Sequence, residues 1–417
     1  MRVPLTMAER HAVTRRLAED YRRATKRQKG VILDTLCSIT GYNRDHAARL
    51  LRAGPPGPRR PNRRRARPRI YDADVLFALR RVWATLDGVC GKRLAAAMPH
   101  IVPAMERFGE LMISHEVRDK LLTISPATID RLLAPDRARL SLKGRAGTKP
   151  GTLLKHQIPL KTFSEWDDAR PGFVEIDLVG HDGGVVRGDY CQTLDVTDVA
   201  TGWTETRAVR NKAQVHVFEA LMTIRGILPF PMLGIDSDNG SEFINKHLLR
   251  FCRDKRITFT RSRAYRKNDA CYVEQKNWSV VRRNVGYARF DTADELTCLN
   301  ELYAALREHT NFFLPSARLV SKTRQGAKVV KRYDVPKTPY ARVLASPDVT
   351  GAAKRRLEAR YERLNPVKLK RTITDLQRRL YELVSLKESI RRREVQAPDS
   401  DDIFDESTNA AFDDILM

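Results

Sequence analysis

The sequence predicts a multidomain α/β protein in which a mixed five-stranded sheet is flanked by helical regions. Residues 173–210 contain three short runs rich in β-branched residues, separated by turn residues: FVEIDLVG, DYCQTLDVTDVA and WTETRAVR. Apolar residues on both sides of this region recur with helical spacing. The chain has 417 residues, and single cores seldom exceed roughly 250–300 residues. We therefore expect several domains.

The charge of the chain indicates a polyanionic partner. It contains 76 Lys and Arg residues against 51 Asp and Glu residues, a net charge of +25. Charge alone does not separate DNA, RNA and acidic membrane surfaces. No apolar run approaches the roughly 20 residues that span a bilayer, and the amino terminus lacks the apolar stretch of a signal peptide. We therefore expect a cytoplasmic, nucleoid-associated protein without a membrane partner.

Residues 1–53 are predicted to form a helix-turn-helix DNA-binding domain. Helical periodicity after residue 30 continues to Ile39, and Gly41-Tyr42-Asn43 then predicts a turn, with Asn43 as the N-cap of a second helix over 44–52. An ordinary helical hairpin is the alternative interpretation. The residues of this domain expected to contact DNA are Arg44 and Arg49.

Residues 54–70 are predicted to form an extended linker. This segment contains seven arginines, five prolines and no acidic residue, so neither a helix nor a sheet forms easily. Arginines on such a segment can follow phosphates or enter a narrow minor groove, and a solvated charged tether is an equally good interpretation. The candidate DNA contacts are Arg59, Arg60, Arg63, Arg64, Arg65, Arg67 and Arg69.

Residues 71–140 are predicted to form a second helical, helix-turn-helix-like DNA-binding domain. A helix over 115–122 precedes Ser125-Pro126, which has the pattern of an N-cap followed by proline at the first helical position. A purely structural bundle is the alternative. The candidate DNA contacts are Thr128 and Arg131, and a polar, glycine-containing linker over 141–170 follows.

The order of elements from residue 171 to 315 is that of a ribonuclease H-like fold. The three strands precede a helix over 213–225, the strand PMLGID, a helix over 241–255, the strand ITFT and a helix over 270–285. Within this region FVEIDLVG, IDSDNGSEF and NDACYVEQKNW resemble the signature segments of DDE-type bacterial insertion-sequence transposases, which have a retroviral-integrase-type catalytic core.

This resemblance implies three catalytic, metal-binding carboxylates. Matched residue by residue, they are Asp177, Asp238 and Glu274, with 35 residues between the last two, which is the spacing typical of the family. The resemblance implies two Mg²⁺ or Mn²⁺ ions as cofactors, because two such ions activate the attacking oxygen and stabilise the leaving one in phosphoryl transfer. Hard cations of this kind prefer carboxylate oxygens.

Two other acidic residues compete with these candidates. Glu175 shares a strand face with Asp177, and Asp236 shares one with Asp238, because side chains alternate along a strand. Periodicity cannot choose within either pair. The resemblance favours Asp177 and Asp238.

Further DNA contacts are expected on the helix that carries Glu274. Asn277 lies one turn after Glu274 and matches the helix pattern of the family. A solvated helix face is an equally good interpretation of the basic residues here, and an ordinary loop histidine is the better interpretation of His181, which could otherwise contact substrate. The candidate DNA contacts are Lys276, Asn277, Arg282 and Arg283.

Residues after the core divide into three predicted segments. Residues 316–350 form a small basic region that could contain a strand pair contacting DNA. Residues 351–393 are predicted to be amphipathic helices, in which apolar residues recur from Leu369 to Ile390. They pair either with another subunit or with their own chain. Residues 394–417 form an acidic tail that we expect to be disordered.

The resemblance implies a DNA transposase that binds the terminal inverted repeats of its element, cleaves 3′ ends and transfers strands into target DNA. Joining two ends requires at least a homodimer, and no nucleotide cofactor is expected. Retroviral integrases carry a His-His-Cys-Cys zinc domain, but residues 1–140 lack that spacing, so we expect the helical domains to recognise the ends. The alternatives are a structure-selective nuclease of the same fold, or a catalytically inactive transposase that acts as a DNA-binding regulator.

Overall fold

The computed structural model describes residues 5–54, 70–139, 170–237, 240, 242–243, 245–261, 271–325 and 328–396. The chain divides into two compact units, residues 1–70 and residues 71–417. The Arg/Pro-rich segment from residue 55 to 69, the linker from 140 to 169 and the tail from 397 onward lie outside the described residues. No described helix is both long enough and apolar enough to cross a membrane.

The first unit contains three helices: α1 Met7–Arg23, α2 Lys26–Thr40 and α3 Arg44–Ala53. The turn after α2 forms because Gly41 adopts a left-handed conformation (φ +71°), which L side chains rarely take. The side chain of Asn43 then accepts a hydrogen bond from the Asp45 N–H at 2.9 Å and caps α3. A small core centred on Leu36 and Leu51 holds the helices together.

The second unit begins with five helices: α4 Ala73–Thr85, α5 Gly91–Arg107, α6 His115–Thr123, α7 Pro126–Leu132 and α8 Ala134–Arg139. Gly91 lets α5 approach α7 closely, because a Cβ at this position would lie 2.2 Å from the Pro126 carbonyl oxygen. The Gly91 N–H instead donates to Asp130 Oδ1 at 2.7 Å. The predicted helix pair around Ser125 is present, and Ser125 caps α7 through the Thr128 N–H.

A mixed five-stranded sheet forms the centre of the second unit, as the sequence predicts. Its strands lie in the order β3-β2-β1-β4-β5, with β1 antiparallel to β2 and parallel to β4. This arrangement places β1, which carries Asp177, in the middle of the sheet. The strands are β1 Phe173–Gly180, β2 Gln192–Asp198, β3 Thr204–Val209, β4 Gly234–Ser237 and β5 Thr258–Arg261.

Helices cover both faces of the sheet. On one face α9 Gln214–Ile227 and α10 Lys246–Asp254 pack against Ile176, Val196 and Ile235. Because side chains alternate along a strand, Glu175 and Asp177 point to the other face. That face is covered by α11 Cys271–Lys276, a π-helical segment Asn277–Arg282, α12 Arg283–Val285 and α13 Ala293–Phe313.

The helix predicted over 241–255 is shorter than expected. α10 begins at Lys246, because the Asn245 side chain accepts a hydrogen bond from the Leu248 N–H at 2.8 Å and so defines the N-cap. Phe243 lies in a turn and is buried in the core next to α10. Ser241 and Glu242 resemble a first helical turn in sequence, but the N-cap at Asn245 sets the start of the helix at Lys246.

The carboxy-terminal part of the second unit contains a hairpin and three helices. The strand pair predicted in the basic region is present as an antiparallel hairpin. The last helix buries Ile373, Leu380 and Val384 against α13, so this apolar stripe packs on its own chain. The elements are β6 Leu319–Gln325, β7 Lys328–Tyr333, α14 Pro339–Ala345, α15 Gly351–Arg363 and α16 Pro366–Gln396.

Candidate active site

Asp177 lies on the central strand with both carboxylate oxygens oriented by hydrogen bonds. Its Oδ1 accepts the N–H of Leu178 at 2.8 Å. Its Oδ2 accepts the side-chain amide of Asn277 at 2.6 Å. The second bond joins two residues 100 positions apart and fastens the start of the π-helical segment to β1. It gives Asn277 a role in orienting Asp177.

Glu175, the competing acid on the same strand face, binds backbone groups of α11. It is buried, and its Oε2 accepts the backbone N–H groups of Tyr272 and Val273 at 2.9 and 3.1 Å. These groups belong to the first turn of α11, where N–H donors lack partners within the helix. A carboxylate there also interacts favourably with the positive end of the helix dipole. Glu175 therefore anchors the helix that carries Glu274.

The second pair of candidate acids lies at the end of β4. Asp236 is buried and accepts a hydrogen bond from the Thr260 hydroxyl at 2.6 Å, which links β4 to β5. Asp238 and Asn239 follow the last residue of β4 in the chain and lie outside the described residues. The structure therefore supplies a structural partner for Asp236, whereas the assignment of Asp238 still depends on the resemblance.

Glu274 lies in the first turn of α11, and its side chain is exposed. Asn277 follows it three positions later, and residues spaced by three or four positions share a helix face. Because Asn277 contacts Asp177, this face of the helix lies above the middle of β1. The backbone then continues as a π-helix from Asn277 to Arg282, a type of segment that often marks functional sites.

A fourth acidic residue, Asp195, lies opposite Asp177 on β2. Its side chain is completely buried, with 0% of its surface exposed. Burial raises the pKa of Asp195, and the neighbouring Asp177 raises it further, whereas Lys276 and a hydrogen bond from Thr197 lower it. Asp195 is not among the candidate residues predicted from the sequence. A signal was present, since an aspartate in the middle of the strand QTLDVTD is unusual for a buried strand.

Lys276 interacts electrostatically with Asp195. Burial lowers the pKa of its ammonium group, and the charge of Asp195 opposes that shift. The two groups therefore influence each other electrostatically inside the protein. In the described part of the structure Lys276 belongs to the surroundings of Asp177 and Asp195.

The other basic candidates near the core have protein partners. Arg282 donates to the Gly180 carbonyl at 2.6 Å, and Arg283 donates to the Asp87 carbonyl. His181 follows β1 directly, but it is buried, and its Nε2 lies 2.7 Å from the Thr193 hydroxyl. Burial lowers the pKa of His181 to about 3. His181 therefore lies in the loop after β1, where it is buried and neutral.

The remaining candidate DNA contacts are distributed over separate elements. Arg44 and Arg49 are exposed on α3 of the first unit, and Arg44 forms an ion pair with Asp34. On α7, Arg131 is exposed and Thr128 is half-buried, and the Arg131 guanidinium donates to the Thr128 hydroxyl at 3.1 Å. The predicted contacts from Arg59 to Arg69 lie outside the described residues.

Two of the three predicted metal ligands, Asp177 and Glu274, are among the described residues. Among the described residues, no group of three His, Cys, Asp or Glu side chains is arranged to hold a metal ion. Asp238 is not among the described residues. Of the predicted site residues, the structure brings Asp177, Asn277 and Lys276 together, with Asp195 as an additional acid.

Comparison with known proteins gives the family. Residues 167–267 match the model of the integrase core domain, rve. The chain is 44% identical over 340 residues to the uncharacterized protein y4rM of Sinorhizobium fredii, an alignment covering 81% of this chain and 96% of the relative. This chain belongs to the same family as y4rM. It contains an integrase core domain, which is the core of a polynucleotidyl transferase.

Solved structures of retroviral integrases are also similar to this integrase-core protein. The catalytic core of bovine immunodeficiency virus (BIV) integrase is 15% identical, with a TM-score of 0.26, covering 41% of this chain and 91% of the viral one. The catalytic core of HTLV-2 integrase in complex with magnesium, in its dimeric form, is 15% identical, with a TM-score of 0.27, covering 35% and 90% of the two chains.

Proposed function

We propose that this protein is a DNA transposase that binds the terminal repeats of its mobile element, cleaves their 3′ ends and transfers them into target DNA. The observation that carries the proposal is the hydrogen bond from Asn277 to Asp177 at 2.6 Å. Together with the capping of α11 by Glu175, it fixes the helix of Glu274 against the strand of Asp177. Family membership supplies the class of chemistry.

The proposed catalytic residues are Asp177, Asp238 and Glu274. Asp177 is held by two hydrogen bonds, so its orientation is set before substrate arrives. Such preorganisation limits the rearrangement needed at the moment of reaction. Glu274 is exposed on the first turn of α11, where it remains accessible to DNA.

The proposed cofactors are two divalent cations, Mg²⁺ or Mn²⁺. Carboxylate oxygens suit these hard cations, and all three proposed ligands are carboxylates. When bound, the cations would supply Lewis-acid stabilisation of the charge that develops on the phosphate.

The proposed partners are double-stranded DNA, as terminal repeats and target, and at least one further copy of the chain. The excess of basic residues is suited to the phosphate backbone. The candidates for contacts in the helical domains are the exposed Arg44 and Arg49 on α3, and the half-buried Thr128 and exposed Arg131 on α7. Two DNA ends must meet for one transposition event, which is the reason to propose a dimer or a larger assembly.

Strand-transfer assays with the end DNA of the element test this function. We expect cleavage and joining in Mg²⁺ by the wild type, and activity no higher than a metal-free control for Asp177→Asn, Asp238→Asn and Glu274→Gln. The matched control is Glu219→Gln, an exposed acid on α9, which should keep full activity. All variants should bind end DNA as the wild type does.

The results also separate the alternative functions. Cleavage without joining would indicate a nuclease, and DNA binding without either reaction would indicate a regulator. If one of the three variants retains wild-type activity, that residue does not belong to the site.

A further inference from the structure

Trp278 is an exposed aromatic residue beside the candidate active site, with 60% of its surface accessible. The other two tryptophans among the described residues, Trp83 and Trp203, are buried. Their indole N–H groups donate to the Val89 carbonyl at 3.0 Å and to Glu205 Oε1 at 2.7 Å. A tryptophan is normally well buried, because its ring contributes a large apolar area. Trp278 instead presents this area to solvent, where it is available to a partner.

The position of Trp278 links it to the candidate catalytic residues. It directly follows Asn277, whose side chain donates to Asp177 Oδ2 at 2.6 Å. The exposed Glu274 precedes it by four positions, which is about 6 Å along a helix axis. The inward side of the same segment is occupied by Val281, which is buried in the core. The indole therefore lies on the outward side, about one helical turn from Glu274.

Positive charge is concentrated near this helix. Burial lowers the pKa of Lys276, and the positive charge of Arg93 on α5 also lowers it, although Asp195 opposes both effects. The pKa of Arg93 is lowered by burial and also by the charge of Arg283. Three cations from two parts of the chain are thus close enough to influence one another. Cations grouped in this way favour the binding of phosphate groups.

An exposed ring in such surroundings favours a nucleic acid as its partner. The two exposed residues nearest to Trp278 in the helix, Glu274 and Gln275, are polar, whereas the centre of a protein–protein interface is depleted of charged residues. Sites for single-stranded nucleic acid combine a positively charged surface with aromatic side chains on which bases stack. Inside a duplex the faces of a base are covered by its neighbours, so the ring can receive only a base that has left the stack.

We propose that Trp278 stacks against an unstacked nucleobase of the DNA strand that occupies the candidate active site. This inference rests on the proposed function, since it names how DNA is held at that site. Nucleotides of one strand are spaced about 3.4 Å apart along the duplex axis. The separation of about 6 Å between Glu274 and Trp278 therefore places the base about two nucleotides from the reacting phosphate. The cations of this region bind phosphates of the same strand, whatever the base.

Binding of two matched single strands to the full-length protein tests this proposal. One is a fluorescent strand of about 12 thymidines, within the usual site sizes, and the other has the same phosphates but abasic sugars. We expect Trp278→Ala to weaken binding of the thymidine strand about 5- to 150-fold, the loss typical of one stacked base. Binding of the abasic strand should not change. Fluorescence anisotropy measures both affinities.

Two variants serve as controls. Trp278→Phe keeps an aromatic ring and should retain most of the affinity for the thymidine strand. Phe77→Ala removes an aromatic residue of similar exposure, 62%, on α4, and should bind both strands as the wild type does. Equal weakening of both strands by Trp278→Ala would show a structural role and overturn the proposal. Unchanged affinity for the thymidine strand would overturn it too.

Two other results separate the possible failures. If the wild type binds neither strand, DNA binding itself is wrong, and the proposed function fails together with this inference. If Trp278→Ala instead lowers the mass of the protein in sedimentation velocity and leaves both affinities unchanged, Trp278 contacts a second copy of the chain. The inference then fails and the proposed function stands.

Photocrosslinking locates the stacked base. End DNA of the element is prepared with 5-iodouracil at one position at a time, bound to the full-length wild type and irradiated. We expect crosslinks to Trp278 from positions within about two nucleotides of the cleaved phosphate, as the spacing along helix and strand requires. Crosslinks to Trp278 from distant positions alone, or from none, would contradict the proposal.

Discussion

Glu175 and Asp177 stand two residues apart on one strand face, yet their chemical environments differ. Glu175 is buried and accepts two backbone N–H groups from α11. Asp177 is partly exposed and is oriented by the Asn277 side chain. The first environment stabilises the fold, and the second leaves Asp177 partly accessible, as its proposed role as a metal ligand requires. This difference makes the two residues separable by experiment.

We predict that Glu175→Ala destabilises the protein by about 1–3 kcal/mol, because it leaves two N–H donors without their acceptor. Glu175→Gln retains an acceptor oxygen and should lose less. The free energy of unfolding is measured by urea denaturation followed by circular dichroism. The control is Glu301→Ala, which removes only an exposed ion pair with Arg379 and should cost less than about 1 kcal/mol. Equal stability of the Glu175→Ala and Glu301→Ala variants would show that the cap contributes nothing.

The choice of Asp177 over Glu175 as the candidate catalytic residue depended on the family resemblance, and it stays a prediction. Alternation put Glu175 and Asp177 on one face but did not reveal that residues 272 and 273, almost 100 positions later, would bind Glu175. The same limit applies to Asp195, because its pairing with Asp177 depends on the register of β1 and β2. Local pattern determines which face a side chain occupies, and tertiary contacts determine its role.

At the scale of elements, strands were easier to predict than helix boundaries. The run FVEIDLVG coincides with β1, since alternation along a strand is a strong signal. The helix predicted over 270–285 is present, but its middle is π-helical. The side chain of Asn284 donates to the Val280 carbonyl at 2.8 Å in this region. Contacts of this kind depend on packing and leave no periodic trace in the sequence.

The junction of α13 and α16 depends on a buried network of charges. Lys387 on α16 lies 3.0 Å from Asp291, and it also pairs with the buried Glu295 at the start of α13. Arg289 and Arg391 also pair with Asp291. Burial raises the pKa of Asp291, but hydrogen bonds from Arg289, Lys387 and Arg391 outweigh it and bring the pKa down to about 2. This carboxylate is therefore charged in the native state and joins two helices.

We predict that this network makes stability depend on pH below 4. The pKa of Asp291 is lower in the folded state, about 2, than its ordinary value of 3.8. Such a carboxylate stabilises the folded state at pH values above 3.8, and this contribution is lost as the pH falls towards 2. The stability difference between wild type and Asp291→Asn should therefore shrink from pH 5 to pH 2. Urea denaturation at several pH values measures it. The control Asp294→Asn, at an exposed position, should show no such trend, and a constant difference for Asp291→Asn would contradict the assignment.

At the scale of the whole molecule, charge and structure are unevenly shared between the two units. Residues 1–70 contain 19 of the 76 basic residues but only five of the 51 acidic ones. The sheet, Asp177 and Glu274 all belong to residues 71–417. The larger unit has cores formed by its own helices and strands. DNA affinity and catalysis should therefore depend on different parts of the chain.

We predict that a variant without residues 1–70 retains the cooperative thermal unfolding of the remaining chain, because each unit has its own core. Its affinity for end DNA should fall, and its dependence on salt should become shallower. Every phosphate that the shortened protein no longer neutralises reduces the slope of log affinity against log salt concentration by about 0.9. Fluorescence anisotropy from 50 to 200 mM salt, roughly the range over which phosphate neutralisation dominates affinity, measures both effects.

The control for the deletion is the full-length protein with Arg15, Arg16 and Arg22 replaced by Gln. It tests whether the positive charge of α1 alone accounts for the change in the slope of log affinity against log salt concentration. If it does, the triple variant and the deletion variant should have similar slopes. An unchanged slope in the deletion variant would mean that phosphates are bound entirely by residues 71–417. End recognition would then have to be sought on α7 and the basic hairpin, because these elements carry the remaining candidate DNA contacts outside the catalytic core.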